Sequence, residues 1–240
     1  MKKVSIVIIA FNIERYIDKC IKSVINQTFK DIEIVIVNDG STDNTLNIIK
    51  ENEINDKRIM VISQRNKGAI EARKTGFNKC QGKYVLFLDG DDWLEANTVE
   101  LLYNKAEEDK SDIVVFNSYI VNEVGEKFIR IFNDNKYSDN DILKNTLIGE
   151  ASPFIWDKFI TKAFIEENSI KFPEDVSYSE DLAFLISIYS KKPKVSIKDK
   201  PLYNYYQRND SATKKLNNKS IDIYKSMNFI EKILKDNNLY

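Results

Sequence analysis

The stretch YVLFLDGDDW, Tyr84 to Trp93, runs an apolar segment straight into three aspartates, Asp89, Asp91 and Asp92. Burying a charge in a sheet core is expensive, so the strand must end where the acids begin. Either the chain emerges into water there, or the acids hold something positive. The apolar run is continuous rather than alternating, the pattern of a strand covered on both faces.

The same pattern recurs upstream as VSIVII (Val4–Ile9), IEIVIV (Ile32–Val37) and RIMVIS (Arg58–Ser63). Between them Tyr16, Ile17, Cys20, Ile21, Val24 and Ile25 fall at helical spacing. A helix carrying Leu46, Ile48 and Ile49 is opened by Ser41, Thr42 or Asp43 as N-cap. Residues 68–80 and 97–108 read as further helices, and DIVVFNSYIV (Asp112–Val121) returns to strand. Strand and helix in alternation predict an α/β fold, a mostly parallel central sheet flanked by helices. Ligands of such sheets gather at the carboxyl ends of the strands. Three polar clusters lie there: FNIE after the first strand, NDGSTDN after the second and DGDDW after the fourth.

The second half is less regular. Residues 127–132 suggest an edge strand; 139–148, 161–168 and 180–189 suggest helices, and 221–235 a last amphipathic helix. Residues 191–219 are rich in lysine and tyrosine.

Composition narrows the chemistry. With 240 residues, 42% hydrophobic and 30% charged, the chain suits one domain with a substantial core, or one domain and a small appendage. The net charge of -1 gives no reason to expect nucleic acid. No apolar run approaches the roughly 20 residues that cross a bilayer. Asn12, Glu14 and Arg15 follow the first apolar run at once, so it reads as a strand and not a signal peptide, and a cytoplasmic protein is expected. The lysine- and tyrosine-rich tail leaves peripheral contact with a membrane open, a solvated face being the plainer reading. Cys20 and Cys80 are expected to be buried thiols. There is no histidine. That excludes a Ser-His-Asp triad, a His-ligated zinc and a His base, and leaves carboxylates for acid-base work. Any metal must be held mainly by oxygen, which points to Mg or Mn.

Each cluster has a plain structural reading and a chemical one. NDGSTDNT (Asn38–Thr45) is a turn with an N-cap; chemically, Asp39 could accept the imide N–H of uracil. In DGDD, Asp92 could be only a cap, while Asp89 and Asp91, two apart, would point the same way in an extended segment. Gly90 allows a tight backbone between them. Two convergent carboxylates repel unless a cation sits between them, and a divalent ion there would bridge to a diphosphate. Lys67 and Arg73, in RNKGAIEARKTG, would offset that charge, Arg73 pinned by an acid. SEDLAFLISIY opens with Glu180 and Asp181, which complement a helix dipole and are also the leading candidates for a general base. Arg208 and Ser211, in YNYYQRNDSAT, could clamp phosphate oxygens, while the tyrosines there suit a strand.

Together these segments resemble the family 2 glycosyltransferases of GT-A fold. Four pieces carry the resemblance: VSIVIIAFNIERYIDKCIKSVINQT with IEIVIVNDGSTDNT, then NKGAIEARKTG, then GKYVLFLDGDDW, then SEDLAF with YYQRNDSAT. It spans about residues 3–213. It implies a catalytic domain over 1–213, with a nucleotide-sugar half (1–116) and an acceptor and base half (117–213), followed by a helical extension (214–240).

The resemblance also implies metal-dependent, inverting transfer of a sugar from a nucleotide sugar, commonly a UDP-sugar, to a glycan, lipid-linked or cell-wall acceptor, with Mn2+ or Mg2+. Ala10, Phe11 and Glu14 would line the uridine pocket, and Asp39 would read the uracil. Asp89 with Gly90 would touch ribose or metal, and Asp91 would bind the metal. Lys67, Arg73, Arg208 and Ser211 would serve base and diphosphate. Asp181 would be the base with Glu180 beside it. Trp156 and Asp92 would line the sugar or acceptor site. The chain departs from the family at Ala10 and Phe11, where proline and tyrosine are common, and in the tail, where some members carry a histidine. A non-catalytic nucleotide-sugar-binding module is the alternative. A dinucleotide oxidoreductase is disfavoured because no G-x-G-x-x-G follows the first strand.

Overall fold

The computed structural model of the chain describes residues 2–131, 141–208 and 222–239. The apolar runs form β1 (Val4–Ala10), β2 (Ile32–Asn38), β3 (Ile59–Ser63) and β4 (Tyr84–Asp89). β1 lies between β2 and β4, all parallel, and β3 extends the sheet beyond β2 in the same direction. Alternate residues of these strands feed two cores, as the two-residue period demands. Ile6, Ile8, Ile34, Ile36, Leu86 and Leu88 face one side. There they meet α1 (Ile17–Ile25), α2 (Thr45–Asn55) and α4 (Thr98–Asp109) through Ile17, Cys20, Ile21, Ile49, Val99 and Leu102. Val7, Val35, Val85 and Phe87 face the other, against α3 (Ala69–Phe77) and α7 (Glu180–Tyr189). Each such aliphatic side chain, fully buried, contributes roughly 1.5–3 kcal/mol.

The remaining strands are β5 (Trp93–Leu94), β6 (Ile113–Val121), β7 (Lys127–Arg130), β8 (Lys158–Thr161) and β9 (Val195–Tyr206). The sheet order is β3-β2-β1-β4-β8-β6-β9-β5, with β7 on β6. β8 is antiparallel to both β4 and β6, so it marks where the parallel half ends and a mixed half begins. Parallel pairing still carries most of the register, because β6 and β9 also run parallel, with a bulge about Asn117. Neither β5 nor β8 was legible in the sequence: β5 has two residues, and β8 opens on a charged Lys158 and ends where a helix was expected.

Two short helices, α5 (Ile142–Leu147) and α6 (Lys162–Glu167), flank the second half. α8 (Ile223–Asp236) places Ile230 against Ala183 and Ile186 of α7, so it lies on the outer side of that helix. Cys20 and Cys80 are buried free thiols. No described helix is long and apolar enough to cross a membrane.

Candidate functional site

Register sets the rim. Ala10 lies opposite Asn38, and Ile9 opposite Asp89, so the loops after β1, β2 and β4 leave the sheet side by side. The first two clasp each other through backbone N–H groups. Asn12, at φ 51°, donates its N–H to Ser41 Oγ at 3.0 Å, and its side-chain oxygen accepts from Thr42 N at 2.8 Å. Ile13 N donates to Thr45 Oγ1 at 2.9 Å and Glu14 N to Asp43 Oδ2 at 3.1 Å; Asn44 N donates to Glu14 Oε2 at 2.8 Å. Glu14 thus serves the start of α2, whose first N–H groups need partners. Ala10 is buried and accepts the N–H of Asp39 on its carbonyl, while Phe11 is 47% exposed above the rim.

Asp39 is buried and holds the next loop. Its Oδ1 accepts from Gln64 Nε2 at 2.7 Å and Lys67 N at 3.0 Å, and its Oδ2 accepts from Gly68 N at 2.9 Å. Gly40, at φ 78°, lets the chain turn directly beneath that loop; a Cβ there would sit 2.7 Å from Asn66 N. The Lys67 side chain is exposed.

At the end of β4 the chain turns instead of running on extended. Asp92 N donates to Asp89 O at 3.0 Å and Gly90 N to Ile9 O at 3.0 Å. Gly90 is required by closeness: a Cβ would lie 2.5 Å from Ile13 Cδ1 and 2.8 Å from Ile9 O. The expectation that Asp89 and Asp91 point together from an extended segment is therefore corrected, because the turn gives each acid its own partner. Asp89 Oδ1 pairs with Arg73 at 2.7 Å, and Asp91 Oδ2 pairs with Arg208 Nε at 2.9 Å. Asp92 is buried, accepting from Tyr203 Oη at 2.6 Å and Tyr206 N at 2.7 Å. Burial, then the charges of Asp91 and Asp89, pushes its carboxyl well above the usual range.

Arg73 ties this turn to the other half of the sheet. It is 4% exposed, yet its guanidinium spans Asp89 at 2.7 Å and Asp181 Oδ1 at 2.6 Å. Burial opposes its charge, but Asp181, Asp89 and Glu180 hold the arginine strongly protonated. Asp181 lies in the first turn of α7, beside the half-buried Glu180, and its Oδ2 accepts from Ile155 N at 3.2 Å. Burial, countered by Arg73 and reinforced by Glu180 and Asp89, raises the Asp181 carboxyl to about 7. Its partners thus lie on α3 and in the segment before β8, beyond what a cap on its own helix would need.

Two expectations on the acceptor side are corrected. Trp156 is buried and stacked, with centroids 5.1 Å from Phe154, 4.6 Å from Tyr203 and 5.7 Å from Tyr205, so it belongs to the core under the rim. Asp92 is likewise buried, its carboxylate taken up by Tyr203 and Tyr206 of β9. Arg208 also lies 5.3 Å from the Tyr16 ring centroid, and Ser211 falls outside the described residues. The sequence reading missed Tyr203 and the Asp157–Lys158 pair. Two adjacent opposite charges in FIWDKF carry no sign of burial, although both prove wholly buried. Among the described residues no cluster of three or more His, Cys, Asp or Glu side chains is arranged to hold a metal.

The model of Glycosyl transferase family 2 matches residues 5–161. Cholesterol galactosyltransferase of Borreliella burgdorferi is 34% identical over 223 residues, covering 88% of this chain and 62% of that protein. Glycosyltransferase GlyA of Streptococcus pneumoniae is 38% identical over 223 residues, covering 88% and 32%. Poly(ribitol-phosphate) beta-N-acetylglucosaminyltransferase TarP of Staphylococcus aureus is 34% identical over 211 residues, covering 86% and 62%. The chain thus spans less than two thirds of each of these relatives. The solved structure of S. aureus TarS 1-349 in complex with UDP-GlcNAc superposes with a TM-score of 0.82 at 24% identity, over 97% of this chain and 66% of that one. That likeness shows the GT-A fold.

Proposed function

The chain belongs to glycosyl transferase family 2, and from that premise we propose that it transfers a hexose or N-acetylhexosamine from a UDP-sugar to an acceptor hydroxyl, with inversion. The observation that carries the reading is Arg73, which joins Asp89 at the end of β4 to Asp181 in the first turn of α7. In this reading the donor site and the base share one frame. The relatives' names and the TarS complexes with UDP and UDP-GlcNAc support the donor class.

In this reading the uracil lies against the loop held by Asp39, with Ala10, Phe11 and Glu14 around it. Three of the acceptor positions of the Asp39 carboxylate are already used, leaving about one for the imide. The diphosphate lies at the DGDD turn, with Lys67 and Arg208 beside it, while Ser211, expected to serve it too, lies outside the described residues. Asp91 fits Mg2+ or Mn2+: it is a hard oxygen donor, it now meets the Arg208 cation, and one carboxylate plus substrate phosphates suffices for such an ion, while Asp89 stays with Arg73. Bound there, the metal would neutralise charge on the departing diphosphate.

The chain's own residues do the rest. Asp181 accepts the proton of the acceptor hydroxyl on a carboxylate oxygen as that hydroxyl attacks opposite the leaving group, a step worth roughly 10²–10⁴ in rate. Arg73 keeps Asp181 oriented, and Glu180 adds negative field beside it. The acceptor is a glycan, a lipid-linked glycan or a cell-wall polymer. Incubation with a panel of UDP-sugars and Mn2+, following UDP release, tests the reading. Release from one donor is expected, and Asp181→Asn should abolish it while UDP affinity, measured by calorimetry, persists. UDP release by Asp181→Asn at the wild-type rate would remove the base assignment. A folded wild-type protein that binds donor and releases nothing would favour the non-catalytic alternative.

A further inference from the structure

Lys158 and Asp157 are both wholly buried and in contact, and the reaction as drawn gives them no part. Replacing a buried ion pair by apolar side chains is often neutral or stabilising, so the pair is poorly explained by stability alone. Its contacts point elsewhere. The Lys158 ammonium has three donors, and they reach Asp157 Oδ1, the Phe154 carbonyl at 3.0 Å and the Ser152 carbonyl at 3.4 Å. Ser152 Oγ donates to Asp157 Oδ2 and accepts from Phe154 N at 3.4 Å. Lys158 N returns to Ile155 O at 3.1 Å. Residues 152–158 are thus wound around one buried charge pair.

Residues 151–154 lie in neither helix nor strand, so no ladder fixes the direction of the Ile155 N–H that follows them. That N–H is the group that donates to Asp181 Oδ2. We propose that Lys158 is a positioning residue for the transfer: with its charge neutralised by Asp157, it draws in the carbonyls of Ser152 and Phe154 so that the Ile155 N–H is aimed at Asp181. The inference rests on the reading of Asp181 as the base. Arg73 then orients one carboxylate oxygen from α3, and the 152–158 segment orients the other.

The groups facing Asp181 are Arg73 from α3, Asp89 from β4, Glu180 from α7 and, from β8, the ammonium of Lys158, which Asp181 attracts. The Ile155 N–H favours the ionised carboxylate. Loss of its aim therefore moves Asp181 titration upward.

The double variant Asp157→Asn/Lys158→Met removes both charges together, so neither is left buried alone. The titration of the Asp181 carboxyl is followed by 13C NMR, alongside the pH dependence of UDP release from a UDP-sugar with Mn2+. In the folded double variant both midpoints are expected to rise by about one pH unit, tenfold less base form at a fixed acidic pH, while UDP affinity is unchanged. Ser152→Ala removes one oxygen from the same anchor, and its midpoints should rise less. A folded double variant with wild-type midpoints overturns the proposal; if that variant does not fold, wild-type midpoints in Ser152→Ala overturn it. Wild-type protein that releases no UDP contradicts the base reading instead, and the carboxyl titration still decides whether the segment positions Asp181.

Discussion

Two regions of the rim are built in opposite ways. Where β1 and β2 end, exposed loops clasp through backbone N–H groups received by Ser41, Asp43, Thr45, Asn12 and Glu14. Where β4 meets α7 and β8, buried charges do the holding: Arg73 between Asp89 and Asp181, and Lys158 against Asp157. Many small contacts shape the first region, and each is separable. The second is a chain of charges in which every member leaves another uncompensated when removed. A surface for a flat base can be made from backbone; a base of raised basicity needs burial and a partner.

The largest effect should come from breaking that chain. Arg73→Met leaves Asp89 and Asp181 facing each other unpaired, and urea unfolding at pH 8 should show a loss of about 3–5 kcal/mol. Next is pH. Because the Asp181 carboxyl is raised to about 7 in the folded protein, UDP release should climb as pH rises through about 7. Stability moves the other way. The stabilisation tied to the protonated carboxyl is complete below the unfolded value near 3.8 and is lost as pH rises through about 7. Thermal melts from pH 4 to 8 should show that decline in wild type and its reduction in Asp181→Asn. Gly90→Ala drives a methyl against Ile13 and Ile9 O, for an expected cost of about 1–3 kcal/mol. Glu14→Ala removes one exposed bond to Asn44 N, and its loss should be about 1 kcal/mol or less. If Glu14→Ala were as damaging as Arg73→Met, the contrast between the two regions would not stand.

The same contrast explains what could be read from the chain. β4 and α7 were expected over 84–89 and 180–189, and both span those residues, because unbroken apolar runs with polar ends are local signals. The rim was legible for the same reason. Partners were less so. That Arg73 would be held by an acid was foreseeable; that it would be held by two, from β4 and α7, depends on packing across the sheet. The resemblance put Trp156 at the acceptor site, and its burial was not legible because its stacking on Tyr203 and Tyr205 joins segments about fifty residues apart. Asp91 and Asp89 looked convergent because strand geometry was carried two residues beyond the end of β4, past Gly90, where the backbone turns.

In the proposed function the rim where β1, β2 and β4 end is the seat of a nucleoside diphosphate. A crystal soaked with UDP and Mn2+ addresses it directly. The uracil should lie beside Asp39 and the 64–68 loop, with the ion between the diphosphate and Asp91. Nucleotide and ion bound at any other place on the protein would contradict it.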